Sequence, residues 1–600
     1  MSHRKVTLAG VLLIITVAGG LYLAGWLTHI LLRVSAPLAW NTWWQYLRAS
    51  DLPQLAPYAR RIRVAGSLGL GIPLLVWLGL LIPLFRSRQP SLHGDAGFAR
   101  LSDLKKAGLL RQTPQGIVIG KYRGRYLWLN GSLHLIVISP TRSGKTTSIA
   151  IPILLSYTQS VVVLDLKGEL RKLTSGWRQS QGQSIVVWAP YSEPGTTHRF
   201  NPFTLLAGHD PARRIGEIQT IAAILYPDEA DKDPFWRTQA RAAFTAFASF
   251  MFEAWDQSWR MGLPSDPNTV PDYPSFERIL RISAGAPEQD TADMLGSILG
   301  DTSQYGYLSP QTRTLFSNLA GLAEQTFSSV IASMQAPLQQ FLNPILAAAT
   351  NATDFDILAI RKRPTTLYID IPTNKLDESS KLLNIFFSSV IGNNLDKPLG
   401  DEPDLKYQML MLMDEFTAMG RLEVWAKRIS ISASYGVRDC CIIQSQAQLR
   451  GTYGEHDAQN FITNHAAQVA FAPREQSDAN AYSEMLGYRT LRRKQRSRSH
   501  GGGSHQTSTS YSEERRALLL PQEIKELPGD EELIFVEGCK PIRARKNWFF
   551  KDKLFKQRSA LPPVTPRPQV HPPRKNDLAD QANEAEAIKA LNERIERWLQ

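Results

Sequence analysis

The stretch Ser139-Pro140-Thr141-Arg142-Ser143-Gly144-Lys145-Thr146-Thr147 has the composition of a phosphate-binding loop. Backbone N–H groups in a tight glycine-containing turn cradle phosphate oxygens, a lysine reaches the β- and γ-phosphates, and a hydroxyl ligates Mg2+. Gly144, Lys145 and Thr146 supply these groups. Ser139 stands where the pattern G-x-x-x-x-G-K-[ST] has glycine, which bears on the loop's opening turn and leaves its lysine in place. Far downstream lies the pair Asp414-Glu415. Asp414 would hold Mg2+, directly or through water, and Glu415 would polarise the attacking water as general base. ATP and Mg2+ are the cofactors this combination calls for.

Such residues need rigid elements to bring them together. Residues 133–138 read as a short buried strand leading into the loop, and residues 149–155 as an apolar helix leading out of it. Residues 409–413 are a strand-like apolar run ending in Asp414-Glu415. Residues 161–164 are another, ending in Asp165-Leu166-Lys167-Gly168-Glu169. Ligands of open α/β sheets gather at such strand ends. Between the two halves, residues 215–320 show helical spacing, as in Ala242, Ala243, Phe244, Ala246, Phe247, Phe250 and Met251. The fold class expected is α/β with an inserted all-α domain.

The same residues resemble the type IV coupling proteins of conjugation and type IV secretion, the TraG-like coupling ATPases. The resemblance runs in order through His93-Gly94-Asp95-Ala96-Gly97-Phe98-Ala99-Arg100, the loop 139–145, residues 165–169 and Phe200-Asn201-Pro202-Phe203. It continues through Met413-Asp414-Glu415-Phe416, residues 444–449 with Tyr453-Gly454, and residues 519–524. It implies a RecA-like P-loop nucleotide-binding domain interrupted by an all-α substrate receptor, and a homo-hexamer around a channel. It also implies ATP-driven handover of a relaxase with its single-stranded DNA, or of effector proteins, to type IV secretion channel components. Gln444 would then sense the γ-phosphate from the strand beside Asp414.

Ahead of the catalytic part, residues 6–32 and 64–85 are nearly uncharged apolar runs, each long enough for a transmembrane helix and too long for a signal peptide's apolar core. Trp40, Trp43, Trp44 and Tyr46 between them suit a membrane interface. Arginines on both sides leave orientation open, and ATP chemistry downstream decides it: the N-terminus and residues after 86 cytoplasmic, residues 40–61 periplasmic, in a bacterial inner membrane. The expected organisation is an anchor at 1–90, nucleotide-binding parts at 91–210 and 326–560, a helical receptor at 211–325, and a Pro-rich linker with a charged helical tail at 561–600. The net charge of +13 favours an acidic partner, nucleic acid or anionic lipid. Three cysteines, Cys440, Cys441 and Cys539, are too few for a disulfide framework, and no Cys or His pair has metal-ligand spacing.

The basic, low-complexity residues 489–512 read as a mobile loop, either touching nucleic-acid phosphate or merely solvated. A double-stranded DNA pump would share the loop and spans but carry a C-terminal DNA reader, for which the tail is too short. A non-catalytic channel scaffold would tolerate loss of Lys145, Thr146, Asp414 or Glu415, all of which are present. No arginine stands out in cis near the γ-phosphate, so a neighbouring subunit is expected to supply one. Arg428 and Arg438 are the candidates, Arg438 preferred; a surface arginine is the other reading for each.

Overall fold

The computed structural model describes residues 3–85, 92–193, 195–207, 209–228, 233–260, 273–285, 289–501 and 504–566. The chain divides into two units, Met1–Gly94 with Arg492–Glu514, and Asp95–Leu491 with Arg515–Gln600.

In the first unit, the helices His3–Leu32 and Ala59–Phe85 are long and apolar enough to cross a membrane. Small residues let their backbones approach: a Cβ on Gly69 would overlap the Ala24 backbone, and one on Gly66 the Trp43 indole. Trp43, in the short helix Thr42–Arg48, donates its indole N–H to Ile62 O at 2.9 Å. Ile14, Ile15, Leu75 and Ile82 face outward, as lipid contact requires. The second helix starts before the expected 64–85 run and takes in Arg60, Arg61 and Arg63. Arginine is a good helix former whose long stem lets its charge leave the apolar zone, and Arg61 reaches Leu31 O at 3.3 Å.

The second unit is built on an eleven-stranded sheet. In chain order the strands are β1 (Ile117–Tyr122), β2 (Arg125–Leu129), β3 (Leu135–Ile138), β4 (Ser160–Leu164), β5 (Ser184–Trp188), β6 (Thr365–Ile369), β7 (Met409–Met413), β8 (Val437–Ile443) and β9 (Ala467–Ala470). Then come β10 (Tyr488–Gly501) and β11 (Ser504–Ala517), which form a separate two-stranded sheet, followed by β12 (Glu531–Val536) and β13 (Ile542–Arg545). The order across the large sheet is β2-β1-β13-β12-β9-β3-β8-β7-β4-β6-β5. From β9 to β5 all neighbours are parallel, and β12, β13, β1 and β2 add an antiparallel wing.

Strands such as Leu-Ile-Val-Ile and Met-Leu-Met-Leu-Met are buried on both faces, as a parallel sheet covered by helices demands. Alternate residues feed two cores: Ile136, Ile138, Met411 and Met413 pack with the helical insertion, and Val137, Val163 and Leu412 pack on the opposite face. Because β8 lies between β3 and β7, the C-terminal ends of all three meet, with Ile138 beside Ile443 and Met413 beside Cys441.

Among the described residues, every element between β5 and β6 is helical. Asp210, Ser275, Asp290 and Ser309 each cap a helix there by accepting a backbone N–H from its first turn. The helices continue to Arg361, beyond the expected 211–325, because Asn343 and Asp356 cap two further short turns.

The basic stretch expected as a mobile loop is instead the strand pair β10 and β11. Two of its arginines are paired across the strands, Arg492 with Glu513 at 2.8 Å and Arg493 with Glu514 at 3.6 Å. The expected Pro-rich linker begins as a docked segment, with Val564 N–H on Ser175 Oγ at 2.9 Å and Pro562 O against Gly176. Its remainder and the expected helical tail, residues 567–600, lie outside the described residues.

Candidate nucleotide site

The loop opens where β3 ends. Ser139 is fully buried and tied by its N–H to Ile443 O at 2.9 Å. Its hydroxyl lies 2.6 Å from Ser143 Oγ, which donates to Pro140 O at 2.6 Å. Ser139 is not in the left-handed region, so its side chain closes the turn without backbone cost; the positive φ angles fall at Arg142 (61°) and Gly144 (90°). Gly144 is required for a second reason, since a Cβ there would overlap the Trp548 ring. Thr146–Ala150 leaves the loop as a π turn that passes into the helix Ile151–Leu154.

Five of the candidate residues close on one another. Buried Lys145 donates from Nζ to Glu415 Oε1 at 2.6 Å, and Gln444 donates from Nε2 to Glu415 Oε2 at 2.9 Å. Thr146 donates its hydroxyl to Asp414 Oδ2 at 2.9 Å. Glu415 adopts a left-handed backbone (φ 63°), uncommon for a residue with a side chain and the kind of strain that gathers at functional sites.

The surroundings push the two carboxyls apart. Burial raises Asp414 above the usual carboxylate range, only partly offset by the Lys145 charge and the Thr146 hydroxyl. Burial also pushes on Glu415, but hydrogen bonds from Lys145 and Gln444, with the charges of Lys145 and Lys167, outweigh it and hold Glu415 below its usual value. Asp414 Oδ1 is buried and has no hydrogen-bond partner among the described residues. Together with the Thr146 hydroxyl, the Asp414 carboxylate is the hard, all-oxygen donor set that fits Mg2+.

Arg438 does not belong to this group. It is the second residue of β8, at the opposite end of the strand from Gln444, and is fully buried. Its guanidinium donates to the backbone carbonyls of Leu133, Gln115 (2.9 Å) and Leu129 (3.1 Å). Burial pulls its pKa down to about 10, which leaves it charged at neutral pH. A guanidinium committed to its own subunit's carbonyls cannot serve a neighbour's phosphate, so Arg438 is not the trans arginine expected from the sequence. Arg428 lies exposed on the helix Glu423–Ser432.

Two further groups of contacts reach the loop. Arg474, just beyond β9, donates to Thr141 Oγ1 and Thr141 O, both at 3.1 Å. Arg474 is thus an arginine at the loop in cis, and its bonds go to Thr141 rather than toward the Lys145–Glu415 end. Residues after β13 return to the loop's outer side: Lys546 Nζ donates to Ser143 O at 3.0 Å, and Phe549 N–H to Thr147 O at 3.1 Å. Position at a strand end hints at Arg474; for Lys546 and Phe549 nothing in the local pattern does.

The chain matches known proteins over most of their length. The chain is 27% identical over 516 residues to VirD4 of Rhizobium radiobacter, covering 82% of this chain and 71% of that one. It is 27% identical over 561 residues to the conjugal transfer protein TraG of Escherichia coli, covering 84% of each. The fold is that of the bacterial conjugative coupling protein TrwB: the unbound form gives a TM-score of 0.53 over 76% of this chain and 94% of TrwB at 16% identity. TrwB in complex with ADP and Mg2+ gives 0.51 over 77% and 96% at 15% identity. Residues 96–570, running from the segment before β1 through the loop, the carboxylates and the returning C-terminal segment, match one family, and the chain belongs to it: Type IV secretory system Conjugative DNA transfer.

Proposed function

We propose that this chain hydrolyses ATP to pass conjugative DNA with its relaxase, or effector proteins, to a type IV secretion channel from the bacterial inner membrane. The observation that carries the reading is the closure of Lys145 and Gln444 around the Glu415 carboxylate, next to Thr146 on Asp414. Residues 139–147 would cradle the phosphates, with Lys145 on the β/γ pair. Thr146 and Asp414 would hold Mg2+, which when bound neutralises developing phosphate charge. Glu415, kept ionised at neutral pH, would orient and polarise the attacking water, and Gln444 would report the γ-phosphate to it.

Arg474 is a brace of the loop, since both its bonds go to Thr141. A homo-hexamer would add a neighbour's arginine, with exposed Arg428 the remaining candidate of the two first considered. The two apolar helices would anchor the chain, and the family's conjugative DNA transfer together with the conjugal transfer protein TraG support DNA as cargo. The full chain purified in detergent should release phosphate from Mg-ATP, with turnover per subunit rising on assembly into rings. A wild-type chain that binds Mg-ATP and releases no phosphate under any condition would remove the reading.

A further inference from the structure

A phosphate loop has a direction. Its lysine and metal-ligating hydroxyl take the γ end of a nucleotide, while backbone N–H groups entering the following helix take the α and β phosphates. Here Lys145 and Gln444 meet on Glu415 and mark the γ end. The nucleoside therefore leaves on the side of Thr147.

What lies on that side is the segment following β13. It is anchored to the loop at three points: Lys546 on Ser143 O, the Trp548 ring over Gly144, and Phe549 N–H on Thr147 O. The anchored residues carry aromatic rings. Trp548 and Phe550 have centroids 5.6 Å apart, and Phe549 and Phe550 are edge to face at 5.6 Å. Lys551 Nζ stands 5.7 Å from the Trp548 ring. Phe550 is 47% exposed, although it is attached to a segment fixed by the loop. A large apolar face held in water beside a phosphate site is a surface that a planar ligand would cover.

We infer that Trp548 and Phe550 form a stacking subsite for the base of the bound nucleotide, an inference that rests on reading residues 139–147 as its phosphate site. Stacking on an aromatic face uses the π-surface that every base has, so the subsite takes nucleoside triphosphates with little regard to base identity. Selectivity for the triphosphate stays with the loop. Trp548 also shapes the loop through Gly144, whereas exposed Phe550 is free to act on the base alone.

The test compares Mg-ATP, Mg-GTP and Mg-tripolyphosphate, which lacks a nucleoside, on the full chain in detergent and on Phe550→Ala, Phe550→Tyr and Trp548→Ala. Removing one stacking ring should weaken ATP and GTP alike by about five- to a hundredfold. Tripolyphosphate affinity should be unchanged in Phe550→Ala, and Phe550→Tyr should restore ATP binding. Equal weakening of ATP and tripolyphosphate by Phe550→Ala would show a residue that only shapes the loop and would overturn the inference. So would unchanged ATP affinity in Phe550→Ala with a changed oligomeric state, which would make Phe550 a subunit contact. If the wild-type chain binds neither ATP nor tripolyphosphate, the phosphate-site reading falls first; binding of both by wild type with no loss in either alanine variant sinks the stacking subsite alone.

Discussion

Lys145 Nζ lies 2.6 Å from one oxygen of Glu415 while Gln444 Nε2 lies 2.9 Å from the other, so a single carboxylate is gripped by the loop after β3 and by the end of β8. The lysine proposed to meet phosphate is the same one that lowers the pKa of the proposed base. Phosphate and Glu415 therefore compete for one ammonium.

From that competition comes the first prediction. Lys145→Ala should lose ATP binding, because the loop's cation is gone. Glu415→Gln should bind Mg-ATP at least as well as wild type, since Lys145 is released from its ion pair, yet turn over about 10²- to 10⁴-fold more slowly. Equilibrium binding and phosphate release on both variants measure this. Wild-type hydrolysis by Glu415→Gln would remove the role assigned to that carboxylate.

Arg438→Ala should behave as a folding variant. Three carbonyls would lose their donor in a buried place, at about 1 to 3 kcal/mol for each group left unsatisfied. Thermal unfolding should show a clear drop in midpoint. Mixing Arg438→Ala with Lys145→Ala subunits should restore no hydrolysis; recovery in the mixture would return Arg438 to the subunit interface.

Membrane orientation is tested by single cysteines. Ser50 is buried and a poor reporter, whereas Leu52 and Ser102 are exposed. In intact cells a membrane-impermeant thiol reagent should label Leu52→Cys and spare Ser102→Cys. The reverse pattern would invert the proposed topology.

Glu532 supplies a pH dependence. It is fully buried on β12, neither oxygen has a hydrogen-bond partner among the described residues, and burial pushes its pKa up to about 8 against a partial pull from Lys546. The native state thus keeps a proton that the unfolded chain releases near pH 4.5. Stability contributed by this group should fall as pH rises through the window from about 4.5 to 8, with a slope of up to about 1.4 kcal/mol per pH unit. Glu532→Gln should flatten the unfolding midpoint across that window. A wild-type midpoint that rises from pH 5 to 8, with the variant unchanged, would contradict the assignment.

The helical insertion between β5 and β6 can vary without moving the strand ends, and it is proposed to choose cargo. Exchanging it for a relative's equivalent should alter which substrate is transferred while ATP turnover persists. Transfer of the original substrate by the exchanged chain would count against a receptor role.

Much of this site was readable because its chemistry sits at the ends of uninterrupted apolar runs. β3, β4 and β7 are buried on both faces, so their sequences stop abruptly at Ser139, Asp165 and Asp414. Arg438 misled because a charge beside two cysteines looks like a strand's solvent edge, whereas three carbonyls at the sheet's far end make burial tolerable. The strand pair β10 and β11 was hidden because its cross-strand partners, Glu513 and Glu514, are outnumbered by arginines and become informative only in register. Arg474 and the residues after β13 act on the loop through contacts that no local periodicity encodes.

The strap across the loop also sets an order of events during synthesis. The Ser143 carbonyl receives its brace only from Lys546, 403 residues later, and Thr147 waits nearly as long for Phe549. The two helices long and apolar enough to cross a membrane leave the ribosome well before the contacts to residues 139–147 are complete. A nascent chain stalled before residue 546 would carry a loop whose Ser143 and Thr147 carbonyls still lack these two donors, so the final shape of the loop is set only when nearly the whole polypeptide has emerged.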